Sequence, residues 1–225
     1  MIIDCISDLH GHYPKLDGGD LLIVAGDLTA SDTVDNFLHF VSWIRNQDYE
    51  EIIVIGGNHD NYLQNLLEPE DIEDSGEFTY LCDSGTEFQG LKIWGSPWTK
   101  TFKGMNPHCK AFTVDTEEEL AEKWALIPDD VDILITHSPP LGMFDRLERY
   151  RWGDVEFEHV GSKSLQDELN NRISPKLHVF GHIHEWGGSS STVRDTIYVN
   201  ASIMNEIYHP VYTPVRIILL EQLKI

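Results

Sequence analysis

The chain has 225 residues, enough for one domain with a sizeable core, and an apolar share of 41% with 10% aromatics argues against disorder or a collagen-like repeat. Thirty-eight acidic residues against sixteen basic ones leave a formal charge of -22, which repels long nucleic acids and anionic membranes. No basic start leads into an apolar leader core, and no apolar run approaches the roughly 20 residues that span a bilayer, so a cytoplasmic protein is expected.

In chain order, short apolar runs predict strands at Ile2 to Ile6, Leu21 to Ala25 and Ile52 to Ile55. Further runs follow at Leu91 to Trp94, Val131 to Ile135, Leu177 to Phe180, Thr196 to Val199 and Val215 to Leu220. Between the first runs, Ser31 can cap a helix on which Val34, Phe37, Leu38, Val41 and Ile44 recur at helical spacing. Thr116 and Glu119 form a capping-box pattern ahead of Leu120 and Trp124, and Ser162 precedes Leu165, Leu169 and Ile173. Strands alternating with helices in the first sixty residues suggest parallel pairing, and the later strand-rich half suggests mixed or antiparallel pairing. The expected architecture is α/β with two stacked sheets, and no repeat or linker divides residues 1–225 into more than one domain. Two long irregular stretches, Trp98 to Thr113 and Ser138 to Gly161, are candidate lids or binding loops. Cys5, Cys82 and Cys109 lack a C-x-x-C spacing and read as reduced structural thiols.

The chemistry is concentrated where apolar runs stop. Five of them end in polar clusters: Asp8-Leu9-His10, Gly26-Asp27, Gly57-Asn58-His59-Asp60, His137, and Gly181-His182-Ile183-His184. All these residue types ligate metals, and the carboxyl ends of parallel strands border one crevice, so clusters far apart in sequence can converge. The spacing of Asp8 with His10, and of His182 with His184, would point both members of each pair the same way on extended backbone. The remaining histidines, His39, His108, His159, His178 and His209, read as structural or exposed, with His12 near enough in sequence to support a ligand.

In order and spacing these clusters resemble the calcineurin-like metallophosphoesterases, whose pattern D-x-H, G-D, G-N-H-[DE], H and G-H-x-H is matched throughout. The stretches Phe88 to Thr99, Thr136 to Gly142, Pro175 to Gly181 and Tyr198 to Ser202 are similar to the metallophosphoesterase-domain-containing subfamily, so the resemblance runs from about Ile2 to Ser202. It implies a four-layer α/β/β/α sandwich with two stacked mixed sheets and the metal site at strand carboxyl ends. Asp8, His10, Asp27 and His184 would hold one divalent cation and Asp27, Asn58, His137 and His182 a second, with Asp27 bridging. A metal-bridging hydroxide would attack phosphorus, His59 would protonate the leaving alkoxide, and Asp60 would orient the His59 imidazole. The donor types permit Mn2+, Fe, Zn2+ or Ni2+ and suit Mg2+ poorly, and Mn2+ is the expected metal.

After Gly26-Asp27 the chain reads Leu28-Thr29-Ala30, without the Asp-Arg-Gly that protein phosphatases of this superfamily place there to clamp a phosphomonoester. The implied partner is a small phosphate ester or nucleotide, with cyclic nucleotides first among diesters. Lys100, Lys103 and Lys110 in one long loop, and Arg146, Arg149 and Arg151 in the other, could steer an anion beside Trp98 and Trp152. They could equally pair with the abundant surface carboxylates. A broad phosphomonoesterase with the same centre and a low-turnover nucleotide sensor are the rival readings.

Overall fold

The apolar runs become strands because both of their faces are covered, the condition under which a parallel strand carries an uninterrupted hydrophobic sequence. The computed structural model describes residues 1–65, 76–102, 104–151 and 154–219. In chain order the first half holds β1 (Ile2–Ile6), β2 (Gly19–Ala25), α1 (Val34–Ile44), β3 (Tyr49–Ile55), α2 (Asn61–Asn65), β4 (Thr79–Tyr80), β5 (Ser84–Phe88), β6 (Leu91–Ser96), β7 (Thr99–Lys100) and β8 (Thr113–Val114). The second half holds α3 (Glu117–Trp124), β9 (Ile133–Thr136), β10 (Arg146–Arg151), β11 (Asp154–His159), α4 (Lys163–Asn171), β12 (Leu177–Phe180), a 3-10 turn (His184–Trp186), β13 (Ser189–Val193), β14 (Thr196–Asn200) and β15 (Val215–Ile218).

Among the described residues eleven of these strands form two mixed sheets, while β7 with β8 and β10 with β11 make separate pairs. The first runs β15-β1-β2-β3-β4, parallel from β1 to β4 with β15 antiparallel at its edge. The second runs β13-β14-β12-β9-β6-β5, with a parallel centre and an antiparallel strand at either edge. Strand alternation then builds the layers. Ile3, Cys5, Leu21, Ile23, Ala25, Ile53 and Ile55 of the first sheet pack against Ile93, Ile133, Ile135, Leu177, Val179 and Val199 of the second. The opposite faces take helices: Leu22, Val24 and Val54 meet Phe40, Val41 and Ile44 of α1, while Leu134, Phe180 and Tyr198 meet Leu120 and Trp124 of α3 and Leu165 and Leu169 of α4. The result is helix on sheet on sheet on helix, as expected, and among the described residues no helix is long and apolar enough to cross a membrane.

Caps set the helix ends. Thr116 accepts the Glu119 N–H at 3.2 Å while the Glu119 carboxylate accepts the Thr116 N–H at 2.9 Å, completing the predicted box. Ser162 caps α4 by accepting the Leu165 N–H at 3.2 Å, and it also accepts the Trp124 indole N–H at 2.9 Å, tying α4 to α3. The expected cap of α1 is corrected: Thr33, not Ser31, accepts the Asn36 N–H, and Val34 and Leu38 of that helix face solvent. The stretch Ser138 to Gly161 is likewise not irregular, since β10 and β11 pair within it as an antiparallel hairpin. The sequence does not mark the edge strands β5 and β13, whose Ser-Gly-Thr-Glu-Phe and Ser-Ser-Ser-Thr-Val are polar, nor the hairpin strands β10 and β11, nor the two-residue β4, β7 and β8; the expected run Val215 to Leu220 forms β15, which ends at Ile218, and Leu220 lies outside the described residues.

Trp124 is fully buried and joins two helices to the second sheet. Trp124→Ala is expected to lower the unfolding free energy by about 3–5 kcal/mol, through lost burial, a residual cavity and the loss of the Ser162 bond. Urea denaturation of variant and wild type measures it, and a loss under about 1 kcal/mol would show that this helix pair does not depend on the indole.

Candidate metal centre

Five parallel strands, β1, β2, β3, β9 and β12, end on the same side of the two sheets, and the residues that follow them meet there. Past Ile6 and Phe180 the backbone does not stay extended. Asp8 (φ +54°), His10 (φ +41°), Asp27 (φ +55°) and His182 (φ +67°) all take left-handed conformations, and His184 opens the 3-10 turn. The expectation that extended backbone aligns each i, i+2 pair is therefore corrected. His184 turns to Asp8, while the His182 ring sits 5.1 Å from that of His137. Non-glycine residues rarely adopt positive φ, and such strain, about 1–3 kcal/mol each, collects where function demands a fixed geometry.

Asp27 is the meeting point. Its Oδ2 lies 3.6 Å from His10 Nε2 on the β1 side and 3.4 Å from His137 Nε2 on the β9 side, so one carboxylate oxygen faces imidazoles from both sheets. Its Oδ1 accepts the His59 backbone N–H at 2.8 Å. Asn58 Oδ1 is 3.2 Å from His137 Nε2, and Asp8 Oδ1 is 3.2 Å from His184 Nε2. Donor atoms lie within 4.8 Å of one another in three sets: Asp8 with His10 and His184, His10 with Asp27 and His59, and Asp8 with Asp27 and His137. His182 is in none of these sets; its Nε2 lies 3.5 Å from Thr99 Oγ1, and its N–H donates to both Asp8 oxygens at 3.1 Å.

The donor chemistry fits cations. His137 Nδ1 lies 2.8 Å from the Ala25 carbonyl and His184 Nδ1 3.1 Å from that of Asn205, so each Nδ1–H is used and each Nε2 lone pair turns inward. His10 Nε2 is buried with no hydrogen-bond partner, an orphan that a metal would satisfy. Burial alone would raise the carboxyl pKa values, yet His184 beside Asp8, and His137 and His59 beside Asp27, hold both well below the usual carboxylate range. Burial pushes His10 down to about 4 and His182 to about 3, keeping those rings neutral. Against the same burial, Asp27 lifts His137 to about 9 and Asp8 raises His184.

His59 and Asp60 part company. Asp60 was expected to orient the His59 ring, but both its oxygens are engaged by backbone N–H groups, of Gly57 at 2.8 Å, Asp27 at 2.9 Å and Leu28 at 3.0 Å. It is a staple holding two of the loops together. Burial and the nearby Asp27 charge raise it to about 8, against the pull of those donors. His59 instead has Nδ1 3.3 Å from Cys109 Sγ and Nε2 3.9 Å from Asp27 Oδ2.

Above the centre opens a cleft of about 600 Å³, lined by Asp27, Asn58, His59, His182 and His184 at its floor. Its walls come from both long loops, including Lys100, Phe102, Cys109, Arg149 and Glu158. The individual roles differ. Trp98 does not face the cleft: its indole donates to Asp83 at 2.7 Å and lies beneath the Lys123 ammonium. Lys100 is 4.0 Å from Glu117, Arg149 3.2 Å from Glu158, and Arg146 stacks on Phe157 and Trp186. Lys103 and Trp152 lie outside the described residues, as does the Arg151 side chain. His12, His39, His108 and His209 are exposed, and His178 is buried in β12 against Thr136. Tyr208 escaped the sequence reading; its ring packs edge-on against His10 at 4.8 Å and His184 at 4.9 Å and lines the cleft, and no motif marks it.

Comparison with known proteins agrees with this geometry. The family description "calcineurin-like phosphoesterase" matches residues 1–186. The chain is 36% identical over 235 aligned positions to human metallophosphoesterase domain-containing protein 1, covering 94% of this chain and 68% of that one. It is 31% identical to a UPF0046 protein of Caenorhabditis elegans, over 94% of this chain and 78% of the relative. Among solved structures, phosphopantetheinyl hydrolase of Mycobacterium tuberculosis superposes with a TM-score of 0.60 at 15% identity, over 98% of this chain and 96% of the other, a likeness of fold.

A Cβ on Gly181 would stand 2.2 Å from Asp8 Oδ2 and 2.1 Å from Ser7 Oγ. Gly181→Ala is therefore expected to displace Asp8 and weaken divalent-metal affinity by about 10–100-fold, and Asp27→Ala to lower bound metal further. Elemental analysis after equilibrium dialysis, with circular dichroism to confirm folding, measures both; unchanged metal content in Asp27→Ala would remove that carboxylate from the centre.

Proposed function

The chain belongs to the calcineurin-like phosphoesterases, metal-dependent hydrolases of phosphate esters, and from that premise we propose that it is a phosphodiesterase acting on small diesters, cyclic nucleotides first. The observation that carries the diester preference is the charge of the cleft wall. A phosphomonoester dianion needs free cationic side chains for its terminal oxygens, and the wall's Lys100 and Arg149 already face Glu117 and Glu158. Glu185 and Glu206 line the same cleft. A diester, with one charge fewer, meets less repulsion there.

Asp8, His10, Asp27 and His184 are assigned to one cation, and Asp27, Asn58, His137 and His182 to the other, with Mn2+ proposed ahead of Fe, Zn2+ or Ni2+. Bound there, two such ions supply charge neutralisation for the phosphoryl oxygens and acidify a water so that it can attack near neutral pH. The chain's own part is positional. Asp27 spans the two halves, the Nδ1 contacts of His137 and His184 aim their Nε2 atoms inward, and Asp60 locks the loops that carry Asp27 and Asn58. His59, at the cleft floor and 23% exposed, is placed to deliver the proton on Nε2 to the departing alkoxide.

With Mn2+-reconstituted enzyme, kcat/KM for bis(p-nitrophenyl) phosphate and for 2′,3′- and 3′,5′-cyclic nucleotides is expected to exceed that for p-nitrophenyl phosphate by at least about tenfold. The reverse order would establish the phosphomonoesterase instead, and tight nucleotide binding without turnover the sensor. His59→Ala is expected to lower kcat by about 10²–10⁴-fold on esters with poor alkoxide leaving groups, and far less on nitrophenyl esters, whose leaving group needs no proton. Equal losses on both would eliminate the general-acid role.

A further inference from the structure

Asp60, next to His59 in the chain, does not meet the ring's Nδ1, because it is committed to backbone amides. What meets the ring is a strap, residues 106–112, that lies along the loop carrying Asn58 and His59. The Ala111 N–H donates to the Asn58 carbonyl at 3.1 Å, and the Asn61 side-chain amide donates to the His108 carbonyl at 2.6 Å. The Phe112 N–H donates to Gln64 Oε1 at 3.0 Å. At the centre of the strap is Cys109, only 9% exposed and on the cleft wall. Its carbonyl accepts the Asn58 Nδ2–H at 3.3 Å, and its Sγ lies 3.3 Å from His59 Nδ1.

We propose that Cys109 is the positioning residue for His59: its sulfur occupies Nδ1 and so presents Nε2, and the proton on it, to the cleft. The inference rests on the general-acid reading of His59. A thiol suits the task because its sulfur can accept the Nδ1–H, weakly, both before and after Nε2 gives up its proton. One contact therefore keeps the ring in one orientation through both halves of the transfer. The Nε2–H bond of the imidazolium breaks, the O–H bond of the leaving alcohol forms, and the neutral ring keeps its Nδ1–H against sulfur.

The test compares wild type, Cys109→Ala, Cys109→Ser and His59→Ala, each reconstituted with Mn2+, on an alkyl and a nitrophenyl phosphodiester. Cys109→Ala is expected to lower the alkyl-to-nitrophenyl ratio of kcat about tenfold with KM little changed, and Cys109→Ser, whose hydroxyl also donates and accepts, to recover most of it. Long-range proton–nitrogen NMR of the metal-free protein should show the His59 Nδ1 resonance moving in Cys109→Ala. A ratio unchanged in Cys109→Ala but lowered in His59→Ala overturns the thiol's role alone, and so does a Cys109→Ala loss that follows falling metal content, which would place the effect at Asn58. A ratio unchanged in both variants overturns the general-acid reading beneath it.

Discussion

The structure depends on a buried carboxylate, Asp27, that two sheets share. Its side chain is 2% exposed, and removing an ionised carboxylate from water costs several kcal/mol unless partners replace the lost hydration. The partners come from everywhere at once: the His59 N–H from the β3 loop, His10 from the β1 loop and His137 from β9 in the second sheet. No one of these segments is near another in sequence. The stacking of two apolar sheets, with Ile23 and Ala25 packed against Ile133, Ile135 and Val179, brings their strand ends together, and the charge at those ends then fixes the loops. Hydrophobic burial sets the framework, and a small number of strong polar contacts sets the geometry within it.

Those contacts leave a signature in the backbone. Asp8, His10, Asp27 and His182 all hold positive φ, and Gly26, at φ +98°, has no room for a side chain because a Cβ would meet the Gly56 carbonyl and His137 Nδ1 at 2.6 Å. A turn relaxed for its own sake would not collect so many left-handed side-chain-bearing residues. They are tolerated because each is held from both sides. The Asp8 N–H donates to the Gly26 carbonyl and the His10 N–H to the Asp27 carbonyl, so the β1 loop is bonded to the β2 loop through its backbone. The same reasoning explains Asp60, whose three backbone donors make it a structural clamp one residue away from His59.

The buried strands were legible from sequence because their apolar runs record two covered faces, and the motif residues because they fall where those runs stop. The seven side chains named from the motifs lie near one another at those strand ends. What escaped the reading had no such record. Strands β5, β10, β11 and β13 are exposed and polar, so nothing in their composition separates them from loop. The carbonyls of Ala25 and Asn205, which set the tautomers of His137 and His184, belong to the backbone and could be supplied by any residue type. Motif adjacency also misled: Asp60 follows His59 in the chain, yet the turn after Asn58 sends its carboxylate beneath the loop while the ring goes up to Cys109, fifty positions away in sequence. Proximity along the chain is a poor guide wherever the backbone reverses.

The electrostatics of the cleft follow from the same facts. A chain with formal charge -22, whose cleft wall adds Glu117, Glu158, Glu185 and Glu206 to the buried Asp8 and Asp27, generates a field that draws cations inward and turns anions away. The two lysine and arginine heads on that wall, Lys100 and Arg149, are close to carboxylates of their own and do little to reverse its sign. An anionic ester can then be attracted only over the short range in which bound cations outweigh the surrounding carboxylates, that is, at the Asp27 floor and not along the wall. The surface charge and the ligand set thus act in one direction: both concentrate divalent cations at one point, and that point becomes the place where a phosphate group is favoured.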